Sequence, residues 1–262
     1  MVIEEGAVIS NGQLARGTYT MELAAPAIAA SVKPGQFVNI LIDEGWPPLL
    51  RRPMSVASRQ ADHIGLIYKV FGVGTQAMAG WTPGHAVNLL GPLGNGWSIA
   101  EGTFPVLVGG GVGIAPIIFL HDELNGRDRE HHLLMGAHDR AEHYLHHDPG
   151  NNITLTTDNG TVGIKGTVVD GLLKVLDQLS ANHVTVFGCG PPPMLNALKD
   201  FTLGQGLPCQ LATEELMGCG FGICQGCSVE MKTDEDPDRP SYRRRFKLAC
   251  TDGPVFWAHE LA

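Results

Sequence analysis

Over roughly the first hundred positions, apolar and polar residues alternate in short runs such as Phe37-Val38-Asn39-Ile40-Leu41-Ile42 and Leu66-Ile67-Tyr68-Lys69-Val70. Pro34-Gly35, Pro83-Gly84 and Gly91-Pro92 cut these runs apart. Period-two runs bounded by turn residues are what half-buried strands require. Met1 to about Ala100 is therefore predicted to be an antiparallel barrel, with helical spacing confined to a short piece near Gln76 to Gly80.

Past residue 100 the pattern changes. Pro105-Val106-Leu107-Val108 is continuously apolar and leads through a glycine turn into a helix-compatible stretch ending near Leu124. Leu133-Leu134-Met135, a strand near Ile153, a helix over Leu172 to Leu179 and Val184-Thr185-Val186-Phe187 follow. Buried strands alternating with helices predict a parallel sheet covered on both faces. From about Pro208 a cysteine- and glycine-rich module takes over. The fold class is thus multidomain, β followed by α/β, over 1–100, 101–207 and 208–262. The length of 262 residues accommodates two domains and a small module.

Charge and composition narrow the function classes. A net charge of -9 argues against nucleic acid, because phosphate binding relies on clustered Lys and Arg. The basic run Arg243-Arg244-Arg245 follows Asp234-Glu235-Asp236, which reads as a solvated hairpin or a protein docking surface. The longest apolar stretch, Phe104 to Leu120, is interrupted by Gly109, Gly110, Gly111, Gly113 and Pro116 and falls short of the roughly 20 needed to span a bilayer. Glu4 and Glu5 near the start do not fit a signal peptide, so the expected setting is cytoplasmic, without membrane attachment. The 34 glycines are about twice the usual share of roughly 7%, which points to tight turns and close backbone contact with ligands.

Cys219, Cys224, Cys227 and Cys250 stand as C-x4-C-x2-C followed by a fourth cysteine after 22 residues, the ligand spacing of a plant-type [2Fe-2S] cluster. Two irons bridged by sulfide need four soft, anionic ligands. Gly218, Gly220, Gly222 and Gly226 let the loop wrap closely and aim N–H groups at sulfur. Zinc, which favours paired C-x2-C elements, and disulfides, which belong to oxidising compartments, are the competing readings. Cys209 has no partner motif and reads as a small buried hydrophobe.

Four further motifs suit phosphate or dinucleotide binding. Arg52-Pro53-Met54-Ser55 puts an arginine and a hydroxyl on a strand, where they can hold a pyrophosphate. Gly72-Val73-Gly74-Thr75 precedes a short helix whose amides could complete that site. Gly109-Gly110-Gly111-Val112-Gly113 follows a buried strand and opens a helix, the setting in which glycine turns approach a dinucleotide. Gly188-Cys189-Gly190 follows another strand, so Cys189 is expected either beside a nicotinamide ring or as an inert thiol at a strand end. Seven histidines between His121 and His147 show no recognised ligand motif and are expected on a solvated surface. No G-x-S-x-G elbow supports serine hydrolysis.

In order, Arg52 to Ser55, Gly74-Thr75, Gly91 to Gly96, the Gly109 to Pro116 turn, Gly188 to Pro191, Glu214 to Gly220 and Cys250 to Phe256 resemble one family over nearly the whole chain. It is the electron-transfer subunit of B-type, NAD-linked dihydroorotate dehydrogenase. The resemblance implies a ferredoxin-reductase-like arrangement with an antiparallel FAD-binding β-barrel, a parallel-sheet NAD-binding domain and a C-terminal [2Fe-2S] module. It implies FAD contacts at Arg52, Pro53, Met54, Ser55, Ile67, Tyr68, Lys69, Gly74 and Thr75, and cluster ligation by Cys219, Cys224, Cys227 and Cys250; the candidate NAD contacts Gly109, Gly110, Gly111, Gly113, Cys189 and Gly190 rest on the two glycine turns themselves.

Two departures stand out. Met54 occupies a position that is commonly aromatic in the wider reductase group, and the last cysteine gap is lengthened by Asp234 to Pro240. The implied partner is an FMN-containing catalytic subunit in a heterotetramer of two plus two, with NAD+ as acceptor and no catalytic acid or base in this chain. A sulfhydrogenase-type or ferredoxin–NADP transhydrogenase-type reductase subunit, and a cluster-based redox sensor without turnover, are the alternatives. The loop Gly136 to Arg140 holds both an acid and an arginine, and so does not decide between NAD and NADP.

Overall fold

The computed structural model describes residues 1–42, 49–179, 183–232 and 242–262. Strands β1 (Val2–Ala15), β2 (Thr18–Ala24), β3 (Phe37–Leu41), β4 (Arg52–Arg59), β5 (His63–Lys69) and β6 (Ala86–Leu93) close an antiparallel barrel in the order β1-β2-β5-β4-β3-β6. Helices α1 (Pro26–Ala29) and α2 (Val73–Ala79) lie between its strands. Alternate side chains, among them Met21, Leu23, Val38, Ile40, Ile64 and Leu66, fill the interior. The predicted period of two is therefore physically a barrel wall.

The rest of the chain supplies strands β7 (Phe104–Gly110), β8 (His132–Ala137), β9 (Ile153–Thr157), β10 (Ile164–Lys165), β11 (Val184–Cys189), β12 (Cys209–Ala212), β13 (Ser228–Glu230), β14 (Phe246–Leu248) and β15 (Val255–Trp257). Its helices are α3 (Ile114–Asn125), α4 (Val168–Gln178), α5 (Pro192–Gly204) and α6 (Tyr242–Arg245). Seven strands form one sheet in the order β10-β9-β8-β7-β11-β12-β15, parallel except at the β15 edge. Leu107 and Leu133 pack with Ile117 and Leu120 of α3 on one face. Val106, Val108 and Val186 meet Leu172 of α4 and Leu198 of α5 on the other. Both faces are covered, which is why the strands read as unbroken apolar runs. Helix α4 starts four residues before Leu172, because Thr167 and Asp170 form a capping box in which each accepts the other's backbone N–H.

The parts share their cores. Phe119 of α3 is buried in the barrel cluster, while Phe37 on the outer side of β3 packs with Cys227, Cys250 and Phe256. Asn95, at the exit of the barrel, donates from Nδ2 to Asp252 O at 3.0 Å and Val255 O at 2.8 Å, stitching it to the segment after the fourth cysteine. No helix among the described residues is long and apolar enough to cross a membrane. The insert Asp234 to Pro240 lies outside the described residues.

The histidine segment corrects the surface expectation. His138 and His146 are exposed, but His131 and His132 are buried. Arg129 O can only accept, so His131 Nδ1 donates to it (2.8 Å). His131 Nε2 then accepts from His121 Nδ1 (2.7 Å), and His121 Nε2 accepts from Asn125 Nδ2 (3.1 Å). Burial pushes His121 and His132 down to about 4, so both imidazoles stay neutral.

Candidate functional site

The cysteine loop is the most fully formed site. Cys219 N and Cys224 N donate to each other's Sγ at 3.4 Å, and Phe221 N donates to Cys219 Sγ at 3.5 Å. Gly220 (φ 80°) and Gly222 (φ 89°) supply the left-handed turns that aim these amides. Burial alone would raise the Cys219 thiol, but the amide donors of Cys224 and Phe221 outweigh it and bring it to about 6. The other two thiols are buried side by side. Desolvation, and then the neighbouring Cys227, push Cys250 up to about 12.

A buried thiol pair of this kind ionises fully when a cation sits between its members. Among the described residues, no three His, Cys, Asp or Glu side chains converge on a single ion. The thiols instead fall into two pairs, Cys219 with Cys224 and Cys227 with Cys250. Four thiols in two neighbouring pairs suit a binuclear cluster, which would take four thiolates.

The barrel wall has a slot between β4 and β5. The ladder between β4 and β5 runs through Val56–Leu66, Ser58–Gly65 and Arg59–Ile64 and stops there. Arg52 to Ser55 and Ile67 to Lys69 therefore flank an opening instead of pairing with each other. Arg52 lies across the start of α2, where a Cβ on Gly74 would stand 2.9 Å from its Nε. The arginine and the Gly72-Val73-Gly74 turn thus converge as the motif reading expects. Thr75 Oγ1 is taken up locally, accepting from Phe71 N (2.9 Å) and Gly72 N (3.3 Å), so it shapes the turn. Tyr68 points into the barrel, where its hydroxyl donates to Asn11 Oδ1 at 3.0 Å, so its backbone alone is left to face the slot. Met54 is half-buried against the barrel core, and Ile67 packs toward the parallel sheet.

In that sheet the chain runs β7, β8, β9, β10 in one direction and then returns to the other side of β7 with β11. The crevice between β7 and β11 is a topological switch point, where open α/β sheets bind ligands. Gly109 stands opposite Cys189 there. A Cβ on Gly113 would run into the Cys189–Gly190 peptide, and one on Gly110 or Gly190 into Met194. These glycines serve first to bring the two turns together; Gly111 (φ 58°) also lines a narrow cleft with Thr18, Lys69, Gly136, Glu142 and Tyr144, between the barrel and the glycine turn after β7. Desolvation, helped by the charge of Glu214, raises Cys189 to about 12 and keeps it a neutral thiol. Asp139, the acid in the loop after β8, is paired with Arg16 of the barrel at 2.7 Å. Cys209 is buried, as a structural cysteine should be.

Sequence reasoning did not single out Asn39. It is fully buried on β3 and donates from Nδ2 to Cys219 O at 3.1 Å. The available signal was a polar residue inside the apolar run Phe37 to Ile42.

A slotted barrel, a switch-point sheet and a paired-thiol loop define the class, a ferredoxin-reductase-like flavoprotein that takes FAD, NAD and a [2Fe-2S] cluster. A solved NADH-dependent reduced ferredoxin–NADP oxidoreductase superposes with a TM-score of 0.83 at 25% identity, over 98% of this chain and 89% of the other. Phthalate dioxygenase reductase shares the fold with a TM-score of 0.64 at 16% identity, over 95% and 94% of the two chains. Residues 214–262 match the family model described as the iron-sulfur cluster binding domain of dihydroorotate dehydrogenase B. Proteins of Caldanaerobacter subterraneus subsp. tengcongensis (33% identical, 97% of this chain and 96% of the relative) and Geobacillus thermodenitrificans (34%, 98% and 98%) both carry the name dihydroorotate dehydrogenase B (NAD(+)), electron transfer subunit. The chain belongs to that family.

Proposed function

We propose that this chain carries electrons from an FMN-containing catalytic subunit, where dihydroorotate is oxidised, through a [2Fe-2S] cluster and FAD to NAD+ in pyrimidine biosynthesis. The observation that carries the reading is structural continuity: Phe37 of the flavin barrel shares a core with cluster ligands Cys227 and Cys250, and Phe119 of the nucleotide domain is buried in the barrel. FAD supplies the exchange between two-electron hydride transfer with nicotinamide and one-electron transfer with the cluster.

The chain's own residues bind and orient. Arg52, with the turn around Gly74, holds the flavin's pyrophosphate, and the open backbone edges of Pro53 to Ser55 and Ile67 to Lys69 hold its ring. Gly109 to Gly113 and Gly190 bring the nicotinamide dinucleotide to the switch point, with the neutral Cys189 thiol beside it. Cys219, Cys224, Cys227 and Cys250 hold the cluster. The units in this reading are 1–100 for FAD, 101–207 for NAD and 208–262 for the cluster, with β12 and β15 of the last completing the sheet of the second.

Leu216 and Ile223 are 91% and 74% exposed around the exposed Cys224. An apolar rim over a redox centre suits a protein partner, so the catalytic subunit docks there, in a cytoplasmic heterotetramer of two plus two. No acid or base for orotate chemistry is needed in this chain.

The test is anaerobic co-purification of the full-length protein from native extract. An accompanying FMN protein that oxidises dihydroorotate, with dihydroorotate-dependent NAD+ reduction by the pair, is the expected result. Isolation with a ferredoxin–NADP-type partner instead would overturn it. That second reading is favoured by the superposition on the ferredoxin–NADP oxidoreductase.

A further inference from the structure

Strand β3 is buried on both sides. Val38 and Ile40 fill the barrel, whereas Phe37 packs into the core that includes Cys227 and Cys250. Asn39, on the same side as Phe37 by strand alternation, is 1% exposed and reaches across to donate to the backbone carbonyl of Cys219 at 3.1 Å. Its Oδ1 is buried without a partner among the described residues. Burying an amide with an open acceptor is unfavourable, and a leucine of similar size would fill the same space without that cost. The approach is also built from the other side: Gly220, next to the ligand Cys219, has φ 80°, and a Cβ there would run into Asn39 Nδ2. On its own strand Asn39 stands opposite Pro53, and its carbonyl accepts from Arg51 Nη1 at 3.3 Å. One side chain therefore joins the strand pair beside the flavin slot to the backbone of a cluster ligand.

We propose that Asn39 is a positioning residue that fixes the cluster loop against the flavin barrel and thereby sets how fast electrons pass between the two centres. The proposal rests on the reading above, in which the cysteine loop holds the cluster and FAD lies along β4. Groups that orient a metal ligand from outside its coordination sphere typically change function 10- to 100-fold when lost, and a redox site that sits about 1 Å too loose loses most of its efficiency.

The experiment uses the full-length protein carrying FAD and cluster, mixed anaerobically with NADH, with flavin bleaching and cluster bleaching followed separately and the g-values of the reduced cluster recorded. In Asn39→Leu and the shape-conserving Asn39→Asp, flavin bleaching stays within about twofold of wild type while cluster reduction slows about tenfold and the g-values shift. Gly220→Ala gives the same signature from the loop side, and Asn39→Leu/Gly220→Ala is no worse than either alone, because both break one contact. Wild-type rates of cluster reduction with unchanged g-values in the Asn39 variants overturn the proposal. If those variants fail to fold, the same result in Gly220→Ala does so. A wild-type protein that takes up no FAD or iron, or whose cluster NADH never reduces, sinks the functional reading itself and this proposal with it.

Discussion

The cysteine loop and the turns of the nucleotide sheet are both rich in glycine, for different physical reasons. In the loop, Gly220 and Gly222 take positive φ and turn amides toward sulfur. In the sheet, Gly113 lacks a side chain because the Cys189–Gly190 peptide occupies the space where one would stand. One region uses glycine to shape a field, the other to save volume. The thiols follow the same division. Cys219, surrounded by N–H donors, sits at about 6, while the desolvated Cys189 beside Glu214 sits at about 12. Residue type alone does not say which role a glycine or a cysteine plays; the direction of the neighbouring dipoles does.

The largest test of this contrast is Cys227→Ser. It is expected to abolish the cluster, read as loss of iron, sulfide and the reduced-cluster spectrum, while NADH still bleaches the flavin. Retention of a full cluster would show that the pairing of Cys227 with Cys250 is not a ligand pair.

Gly113→Ala comes next, with a predicted loss of about 3 kcal/mol in urea unfolding, because backbone atoms cannot yield to a new Cβ. A cost under about 0.5 kcal/mol would make this glycine a matter of conformation and collapse the distinction from the loop.

Acid separates the regions a third way. The nucleotide sheet holds the buried, neutral His132, and the loop from Glu214 to Cys227 contains no histidine. His132 titrates at about 4 when folded against about 6.5 unfolded, so the unfolded chain binds the extra proton first. Its contribution is complete above pH 6.5 and is lost as pH falls toward 4. The expected loss of stability from His132 is on the order of 2 kcal/mol, and His132→Asn should remove that part of the acid loss in a denaturant series across the window, leaving the part due to His121, which burial holds down in the same way.

The smallest effect is expected at Gly74→Ala. The atom it would meet is Arg52 Nε, near the end of a flexible side chain. FAD retention should weaken only about fivefold, a shift of about 1 kcal/mol, measured by flavin release on dilution.

Much of the architecture was legible from pattern. The runs at Phe37, Leu66, Pro105 and Leu133 are strands β3, β5, β7 and β8, and the stretch to Leu124 is α3. Cysteine spacing pointed to the cluster. The buried His131–His121 chain was not legible, because histidine is polar by type and its burial depends on Arg129 O and Asn125 meeting it in space. The same holds for Asp139, in a loop whose sequence does not decide between NAD and NADP: its pairing with Arg16 joins residues 123 positions apart.

Local information determined the strands, the helix after each glycine turn and the spacing of the four cysteines, because periodicity, turn chemistry and thiol spacing are properties of neighbouring residues. Tertiary structure alone decided which β-strand edges stay open as a slot, how the four thiols divide into pairs, and that Asn39 meets Cys219. Each of these joins segments far apart in the chain, and hydrogen bonds and burial across such separations exist only once the barrel, the sheet and the loop have packed against one another.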